Sequence, residues 1–168
     1  MIHVCSLALL PDTVKATGAS HVITVMADVH KVQRPPSIAA DNHLVISMDD
    51  INVPADGFVA PQRDHVEQVL AFGRRWDRSA PLVIHCYAGI SRSTASAFAI
   101  ACALNPKRDE FDIARRIRKD SPTAQPNRLI VGHADELLAR QGRMIEALNL
   151  IGPGDMSIEG RPFRIELD

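Results

Sequence analysis

The sequence has no excess of charge of either sign. Nineteen Lys and Arg residues nearly balance 20 Asp and Glu residues, so the formal net charge is −1 at pH 7. A chain without a strong overall field is not drawn electrostatically to nucleic acid or to an anionic membrane surface. We therefore expect neither as a partner, and selectivity must come from a local site.

Long hydrophobic runs are also missing. The apolar segments are short, and the N-terminal residues lack a basic stretch followed by a hydrophobic one. A membrane span needs about 20 predominantly apolar residues, and a secretory signal needs a charged region before its apolar core. The sequence therefore predicts neither, and it favours a cytoplasmic location.

Cysteine is scarce, and the few cysteines are far apart. Cys5, Cys86 and Cys102 are an odd number of thiols without a CxxC pair. This pattern is typical of reduced thiols and not of a disulfide framework or a zinc site. The seven histidines have no ligand spacing either, so we predict no metal and no cofactor.

Short apolar segments alternate with helical patterns along the chain. Segments 3–9, 21–26, 43–48 and 81–86 are rich in Val and Ile and are bounded by polar residues, Pro or Gly. The last is apolar almost throughout, as in a strand that is covered on both faces. The sequence therefore predicts a compact α/β domain over 1–168, with a central, mainly parallel sheet of four or five strands flanked by helices.

The helical patterns lie mostly in the second half of the chain. We predict helices over 61–78, with Pro61 in the first turn, from Arg92 to the Asn105-Pro106 stop, over 109–119, and from about 127 towards 150. The segment 152–168 contains turn residues and then a short alternating stretch. It is either a further strand or a loosely attached C-terminal extension.

The stretch HCYAGISRST joins the last apolar strand to the helix that starts near Arg92. Its turn contains Gly89, which tolerates a positive φ, and Ala88, which is small enough for a tightly curled loop. Successive backbone amides in a turn at a helix N-terminus form a concave site for an anion, and the helix dipole reinforces it. The loop is therefore a candidate phosphate site, lined by residues 87–92.

The side chains around this loop suggest nucleophilic chemistry. A cysteine beside a helix N-terminus and an arginine favours its thiolate, which is the form that attacks. Arg92 can hold two phosphoryl oxygens in its planar fork, and Ser93 can donate a hydrogen bond to the Cys86 sulfur. Because neighbouring residues of a strand face opposite sides, His85 points away from the face that Cys86 occupies. We expect it to support the loop through a hydrogen bond to a backbone carbonyl.

These residues resemble the cysteine-dependent protein tyrosine phosphatase superfamily. The motif HCxxGxxRS is complete here, and its members are His85, Cys86, Tyr87, Ala88, Gly89, Ile90, Ser91, Arg92 and Ser93. The small size and the Pro126-Asn127 element are similar to the dual-specificity branch, and the whole chain also resembles small bacterial phosphatases of this class. The resemblance implies a phosphocysteine intermediate on Cys86, phosphoryl binding by Arg92 and assistance by Ser93. Asn127 is either a brace for the loop or a helix N-cap.

A phosphatase of this kind needs a carboxylic acid that protonates the leaving oxygen. The resemblance implies that it lies after the strand at 43–48, where Asp49, Asp50 and Asp56 are the candidates. Alignment of the strand ends favours Asp50, whereas the spacing from Cys86 in the family favours Asp56. Asp49 and Asp50 are neighbours on an extended chain and point in opposite directions, so only one of them can enter the pocket.

The leading functional prediction is hydrolysis of a phosphate monoester, namely a phosphorylated protein or a small phosphomonoester. Phosphotyrosine is favoured, and phosphoserine and phosphothreonine are left open. Phosphoinositide-directed relatives often carry lysines in the loop, whereas the variable residues here add no positive charge. A phosphate-binding module without turnover and a rhodanese-type sulfurtransferase are the alternatives. The oligomeric state is not defined by the sequence.

Overall fold

A computed structural model describes residues 1–167. Within this range the chain forms five strands and six α-helices. In chain order they are β1 Ile2–Ser6, α1 Leu10–Thr17, β2 His21–Val25, β3 His43–Ile46, α2 Arg63–Arg75, β4 Leu82–Cys86, α3 Arg92–Leu104, α4 Glu110–Asp120, α5 Arg128–Leu137, α6 Arg143–Ile151 and β5 Phe163–Ile165.

The strands form one sheet in the order β3-β2-β4-β1-β5. Strand β4 lies in the middle and pairs in parallel with both β1 and β2, while β5 is antiparallel to β1. All five residues of β4 are buried, which is why its sequence is apolar almost throughout. The predicted α/β class and the mainly parallel sheet are confirmed.

The two faces of the sheet are covered unequally. The larger core contains Ile84, Cys86 and the apolar residues of α3, with α2, α4 and α5 packed around that helix and α6 packed on α4 and α5. The smaller core on the other face contains Cys5, Val83 and the buried residues of α1. Helix α3 consists mainly of small buried residues because it is enclosed between the sheet and its neighbouring helices.

The helix predicted over 61–78 begins and ends at other residues in the structure. It begins at Arg63, two residues after Pro61, with Gln62 at the N-cap. It ends at Arg75 because Trp76 is extended and Arg78 has a positive φ of 62°. The indole of Trp76 donates a hydrogen bond to the Ala80 carbonyl at 2.8 Å, so this side chain anchors the turn after the helix.

The prediction of one continuous helix from about 127 to 150 was wrong. The chain forms α5 and α6, separated by a turn in which Ala139, Gln141 and Gly142 have positive φ. The Asp135 carboxylate accepts hydrogen bonds from the amides of Gly142 at 2.6 Å and Met144 at 2.8 Å. These bonds stabilise the first turn of α6, so specific contacts hold the turn between the two helices.

The segment after Gly152 is not a loose extension. Residues Phe163–Ile165 form β5 on β1, which is the strand alternative of the prediction. Asp168 lies outside the described residues. In the described part of the chain no helix has the length and apolarity needed to cross a bilayer.

Candidate active site

The HCxxGxxRS motif forms the connection between β4 and α3. Cys86 is the last residue of β4, and Arg92 is the first residue of α3, so the intervening loop 87–91 lies at the N-terminus of a 13-residue helix. The Gly89 amide donates a hydrogen bond to the Cys86 sulfur at 3.2 Å. We call residues 86–92 the phosphate loop. Its amides and the N-terminal end of the α3 dipole can accommodate an anion.

The carbonyl groups of the phosphate loop are held from behind by distant segments. The Leu7 amide donates to the Tyr87 carbonyl at 3.1 Å, and the Gly160 amide donates to the Ala88 carbonyl at 2.8 Å. The Gln125 amide donates to the Ile90 carbonyl at 2.9 Å, and the Asn127 amide donates to the Ser91 carbonyl at 3.3 Å. In a planar peptide the C=O and the following N–H point in opposite directions. Bonds behind the loop therefore direct the following amides towards its concave side.

Both the backbone conformation at position 89 and the space around its Cα require glycine. Its φ is +73°, and a Cβ atom would lie 2.8 Å from the Cys5 carbonyl carbon and 2.8 Å from the Ser6 nitrogen. These two atoms belong to the backbone of β1 and cannot move aside without moving the strand. The loop thus lies directly against the end of β1, and only glycine fits there.

We expect Gly89→Ala to weaken binding of inorganic tungstate, a tetrahedral oxyanion, because the added carbon displaces the loop from β1. The left-handed conformation of alanine costs about 1–2 kcal/mol by itself. Gly18→Ala is the matched control, since Gly18 has a φ of +64° with nothing within 4 Å of an added Cβ. Calorimetric titration should show a loss for Gly89→Ala alone; equal affinities in both variants would contradict the steric argument.

The Cys86 sulfur lies at the base of the loop and is only 1% exposed. Besides the Gly89 amide, it contacts the Ser93 hydroxyl at 3.2 Å. Both contacts place hydrogen-bond donors on a sulfur anion. Burial raises the pKa of Cys5 to about 11 and that of Cys102 to about 12. These two residues are therefore thiols at neutral pH, unlike a nucleophile that reacts as a thiolate.

Arg92 presents its guanidinium at the same loop. The residue is 8% exposed, and its Nη1 donates to the Met48 carbonyl at 2.8 Å. Its Nε is buried and has no hydrogen-bond partner within residues 1–167, although the Asp50 Oδ2 lies 3.7 Å away. A buried charged donor without an acceptor is costly unless a ligand supplies one. A phosphoryl oxygen would satisfy it.

His85 lies behind the loop in a chain of buried hydrogen bonds. Its Nδ1 is 3.3 Å from the Cys86 carbonyl, and its Nε2 is 2.7 Å from the Thr24 hydroxyl, which is 2.8 Å from His43 Nε2. Because a carbonyl only accepts, Nδ1 of His85 carries the proton, and Nε2 accepts from Thr24. The hydroxyl in turn accepts from His43. This arrangement needs a neutral His85, and burial lowers its pKa to about 4.

This burial predicts a pH-dependent stability. The unfolded chain protonates His85 near its ordinary value of 6.5, whereas the native chain does so only near 4. The native state therefore loses stability as the pH falls from 6.5 to 4, by about 3 kcal/mol in total, and this residue contributes no slope above pH 6.5. We expect His85→Gln to lose less stability over that interval in urea unfolding. A parallel decline in both proteins would contradict this assignment.

Among the three acid candidates, the structure brings Asp50 to the phosphate loop. Its Oδ1 accepts hydrogen bonds from the Ser91 hydroxyl at 2.6 Å and from Asn127 Nδ2 at 3.0 Å. Asn127 also accepts the Leu129 and Ile130 amides at the start of α5. The two alternatives for Asn127 are therefore both realised, since this residue is an N-cap and also ties the Asp50 segment to the loop.

Asp49 and Asp56 have different surroundings. The Asp49 carboxylate accepts the Val59 amide at 2.7 Å, and its own amide donates to the Val59 carbonyl at 2.7 Å. These bonds close the loop 49–59. Asp56 is exposed within that loop, and no side-chain hydrogen bond or ion pair forms to it in the described range. Asp49 therefore shapes the loop, and Asp56 is not joined to the phosphate loop.

Two cavities meet at Asp50. A cavity of about 190 Å³ lies at the mouth of the phosphate loop and is lined by Asp28, Asp49, Asp50, Tyr87 and Arg92. A larger groove of about 610 Å³ continues beyond Asp50 and Ser91 over apolar residues of α6. Tyr87 is 63% exposed and offers its ring to a ligand.

Several contacts of the site had no signal in the sequence. The Met48 carbonyl and the amides of Leu7, Gln125 and Gly160 are backbone groups. Every residue carries a backbone carbonyl, and every residue except proline carries a backbone N–H, so the side chains at these positions do not reveal the contacts. Thr24 and His43 did carry a weak signal, because they are polar residues in apolar strand segments. Within residues 1–167 no three His, Cys, Asp or Glu side chains are grouped as metal ligands would be.

Comparison with known proteins links this geometry to solved structures. No protein-family model matches the sequence, and no curated protein does. PTP-2 phosphatase of Cydia pomonella is 19% identical, with a TM-score of 0.61 over 82% of this chain and 83% of that one. Human DUSP28 is 15% identical, with a TM-score of 0.62 over 83% and 89%.

A third match is PTPMT1, solved in complex with PI(5)P. It is 14% identical, with a TM-score of 0.59 over 84% of this chain and 94% of that one. At these identities the similarity is one of fold. This chain therefore has the fold of the small dual-specificity and tyrosine phosphatases, as its resemblance in sequence implies.

Proposed function

We propose that this chain hydrolyses phosphate monoesters through a phosphocysteine intermediate, with phosphotyrosine in proteins as its preferred substrate. The observation that carries the proposal is the buried Arg92 guanidinium with an unpartnered Nε, set in the same loop as a cysteine that accepts an amide hydrogen bond. This arrangement holds a tetrahedral oxyanion next to a nucleophile. The fold of the matched phosphatases supports the same conclusion.

The chemistry proceeds in two balanced steps. The Cys86 thiolate attacks phosphorus while the bond to the leaving oxygen breaks, and Asp50 gives its proton to that oxygen. A water molecule then attacks the phosphocysteine, Asp50 takes one proton from it, and phosphate leaves. The sulfur departs as a thiolate, which the Ser93 hydroxyl at 3.2 Å stabilises. A reduced Cys86 is required throughout, which suits the cytoplasm.

The mouth of the site supports an aromatic phosphate ester as substrate. Tyr87 is exposed there and can pack against the ring of a phosphotyrosine. PTPMT1 was solved with PI(5)P, whereas the variable residues of the loop here, Tyr87, Ala88, Ile90 and Ser91, add no positive charge for a polyphosphorylated headgroup.

Turnover by the wild-type chain tests the proposal. We expect hydrolysis of para-nitrophenyl phosphate and of phosphotyrosine peptides, and an acid-quenched sample should contain a phosphoryl group on Cys86 in mass spectra. Tungstate binding without turnover would instead indicate a binding module. Persulfide formation from thiosulfate without phosphatase activity would indicate a rhodanese-type sulfurtransferase.

A further inference from the structure

The segment 152–161, between α6 and β5, is packed against the back of the phosphate loop. Gly160 is buried, and its amide donates to the Ala88 carbonyl at 2.8 Å. A Cβ on Gly160 would lie 2.5 Å from the Gly89 oxygen and 2.9 Å from the Gly89 carbonyl carbon. The backbone of this segment therefore touches the loop so closely that no side chain fits between them.

Gly89 is thus enclosed from two directions. On one side the end of β1 lies where a Gly89 Cβ would be, and on the other side Gly160 covers the Gly89 carbonyl. Neither contact uses a side chain that could change its rotamer. The position of this part of the loop is consequently set by two backbone segments that are remote in sequence.

The hydrogen bond from Gly160 has a direct consequence at the sulfur. The Ala88 carbonyl and the Gly89 amide belong to one planar peptide and point in opposite directions. When the Gly160 amide holds that carbonyl, it also fixes the direction of the Gly89 amide. That amide donates to the Cys86 sulfur at 3.2 Å.

The segment is itself anchored on both sides of Gly160. The Ser6 hydroxyl donates to the Glu159 carboxylate at 2.5 Å. The Arg161 amide donates to the Thr123 hydroxyl at 3.1 Å, and the Ser121 hydroxyl donates to the Arg161 carbonyl at 2.8 Å. These contacts hold Gly160 in place between the end of β1 and the turn before α5.

We propose that segment 152–161 is a positioning element of the active site, which acts through Gly160 to orient the Gly89 amide towards the Cys86 sulfur and a bound phosphoryl oxygen. This inference rests on the proposed phosphatase function for its catalytic consequence. The segment does not touch the reacting atoms. Its effect is transmitted through one peptide plane, and a small displacement of such a group is sufficient to lower turnover.

Two glycine substitutions test this role. Gly160→Ala places a carbon against the phosphate loop, whereas Gly18→Ala at the end of α1 places alanine at a φ of +64° with nothing within 4 Å of its Cβ. Both variants should lose thermal stability, the second because alanine is strained at a positive φ. We expect kcat for para-nitrophenyl phosphate and affinity for inorganic tungstate to fall only in Gly160→Ala, with kcat/KM reduced about a hundredfold.

Hydrogen exchange provides a readout that does not depend on catalysis. In Gly160→Ala the amides of residues 88–91 should exchange faster than in the wild type, whereas in Gly18→Ala they should exchange at the wild-type rate. If Gly160→Ala does not fold, Glu159→Ala carries the same test, because it removes the acceptor that anchors the segment to Ser6. It should show the same changes to a smaller degree.

The outcomes separate this inference from the proposed function. Wild-type levels of exchange, turnover and tungstate affinity in Gly160→Ala would overturn the positioning role. Equal losses in Gly18→Ala would also overturn it, because they would show that lowered stability alone reduces turnover and tungstate binding. A wild-type chain that neither binds tungstate nor hydrolyses a phosphate ester would refute the proposed function, while the exchange comparison would still decide whether Gly160 orders the loop.

Discussion

Replacing Cys86 by serine is expected to abolish hydrolysis of para-nitrophenyl phosphate, with a loss of at least about four orders of magnitude. A serine hydroxyl is almost fully protonated at neutral pH, and the contacts that suit a sulfur anion do not ionise it. The Gly89 amide and the Ser93 hydroxyl remain in place to hold an oxyanion. Steady-state kinetics would measure the loss, and calorimetry should show that tungstate still binds.

Cys102→Ala is the matched control for this variant. Cys102 lies in α3 like Arg92, but it is buried in the core, and its pKa is raised to about 12. It therefore supplies no thiolate, and its removal should lower the midpoint of thermal unfolding without lowering turnover per folded molecule. Appreciable activity in Cys86→Ser, or equal losses in both variants, would exclude a phosphocysteine mechanism on Cys86.

Removing the Asp50 carboxylate is expected to slow turnover of phosphotyrosine by about a hundredfold to ten-thousandfold, the range that general acid catalysis contributes. The phenolate of tyrosine has a pKa of about 10 and leaves poorly without a proton. Nitrophenolate is more acidic and needs less assistance. Asp50→Ala should consequently reduce kcat much more for phosphotyrosine than for para-nitrophenyl phosphate.

The pH profile identifies the acid. An acid must be protonated when the leaving group departs, so the rate of the wild type falls on the basic side as that proton is lost. Asp50→Ala should lack this basic limb, whereas Asp49→Ala and Asp56→Ala should keep it. Loss of the limb in Asp56→Ala would transfer the role to Asp56 and would require the loop 49–59 to swing towards the phosphate loop.

The contacts of Asp50 suggest how this role is prepared. Without a ligand, Ser91, Asn127 and Arg92 all lie beside its carboxylate, at 2.6, 3.0 and 3.7 Å. These groups hold Asp50 at the mouth of the loop. A bound phosphoryl group would accept a hydrogen bond from Arg92, and Ser91 and Asn127 would continue to hold the Asp50 carboxyl at the mouth of the loop.

The strands were predictable because each is a short apolar run with polar or turn-forming residues around it. The burial of all of β4 follows from its composition, and α3 was recognisable from its small apolar residues and its Asn105-Pro106 end. The split between α5 and α6 was not predictable in this way. The helical pattern continues through 138–142, and the corner depends on Asp135 accepting amides from the next helix.

The grouping of the predicted nucleophile and the predicted phosphate-binding arginine in one loop was predictable for a related reason. Cys86, Gly89, Arg92 and Ser93 lie within eight consecutive residues, so local backbone geometry is sufficient to bring them together. The acid candidates were separated from them by more than 25 residues, and the sequence left Asp49, Asp50 and Asp56 open. The hydrogen bonds of Asp50 with Ser91 and Asn127 arise only when β3, β4 and α5 are assembled.

The sequence by itself determined the α/β class and the loop between β4 and α3 that begins at Cys86, because apolar periodicity and a short motif act over neighbouring residues. The tertiary structure alone decided which carboxylate reaches the loop, that His85 is held through Thr24 to His43, and that Gly160 lies on Gly89. These contacts join residues far apart in the chain, and several use backbone groups that every residue carries. No local pattern can encode such a contact, since it depends on how the sheet and helices pack.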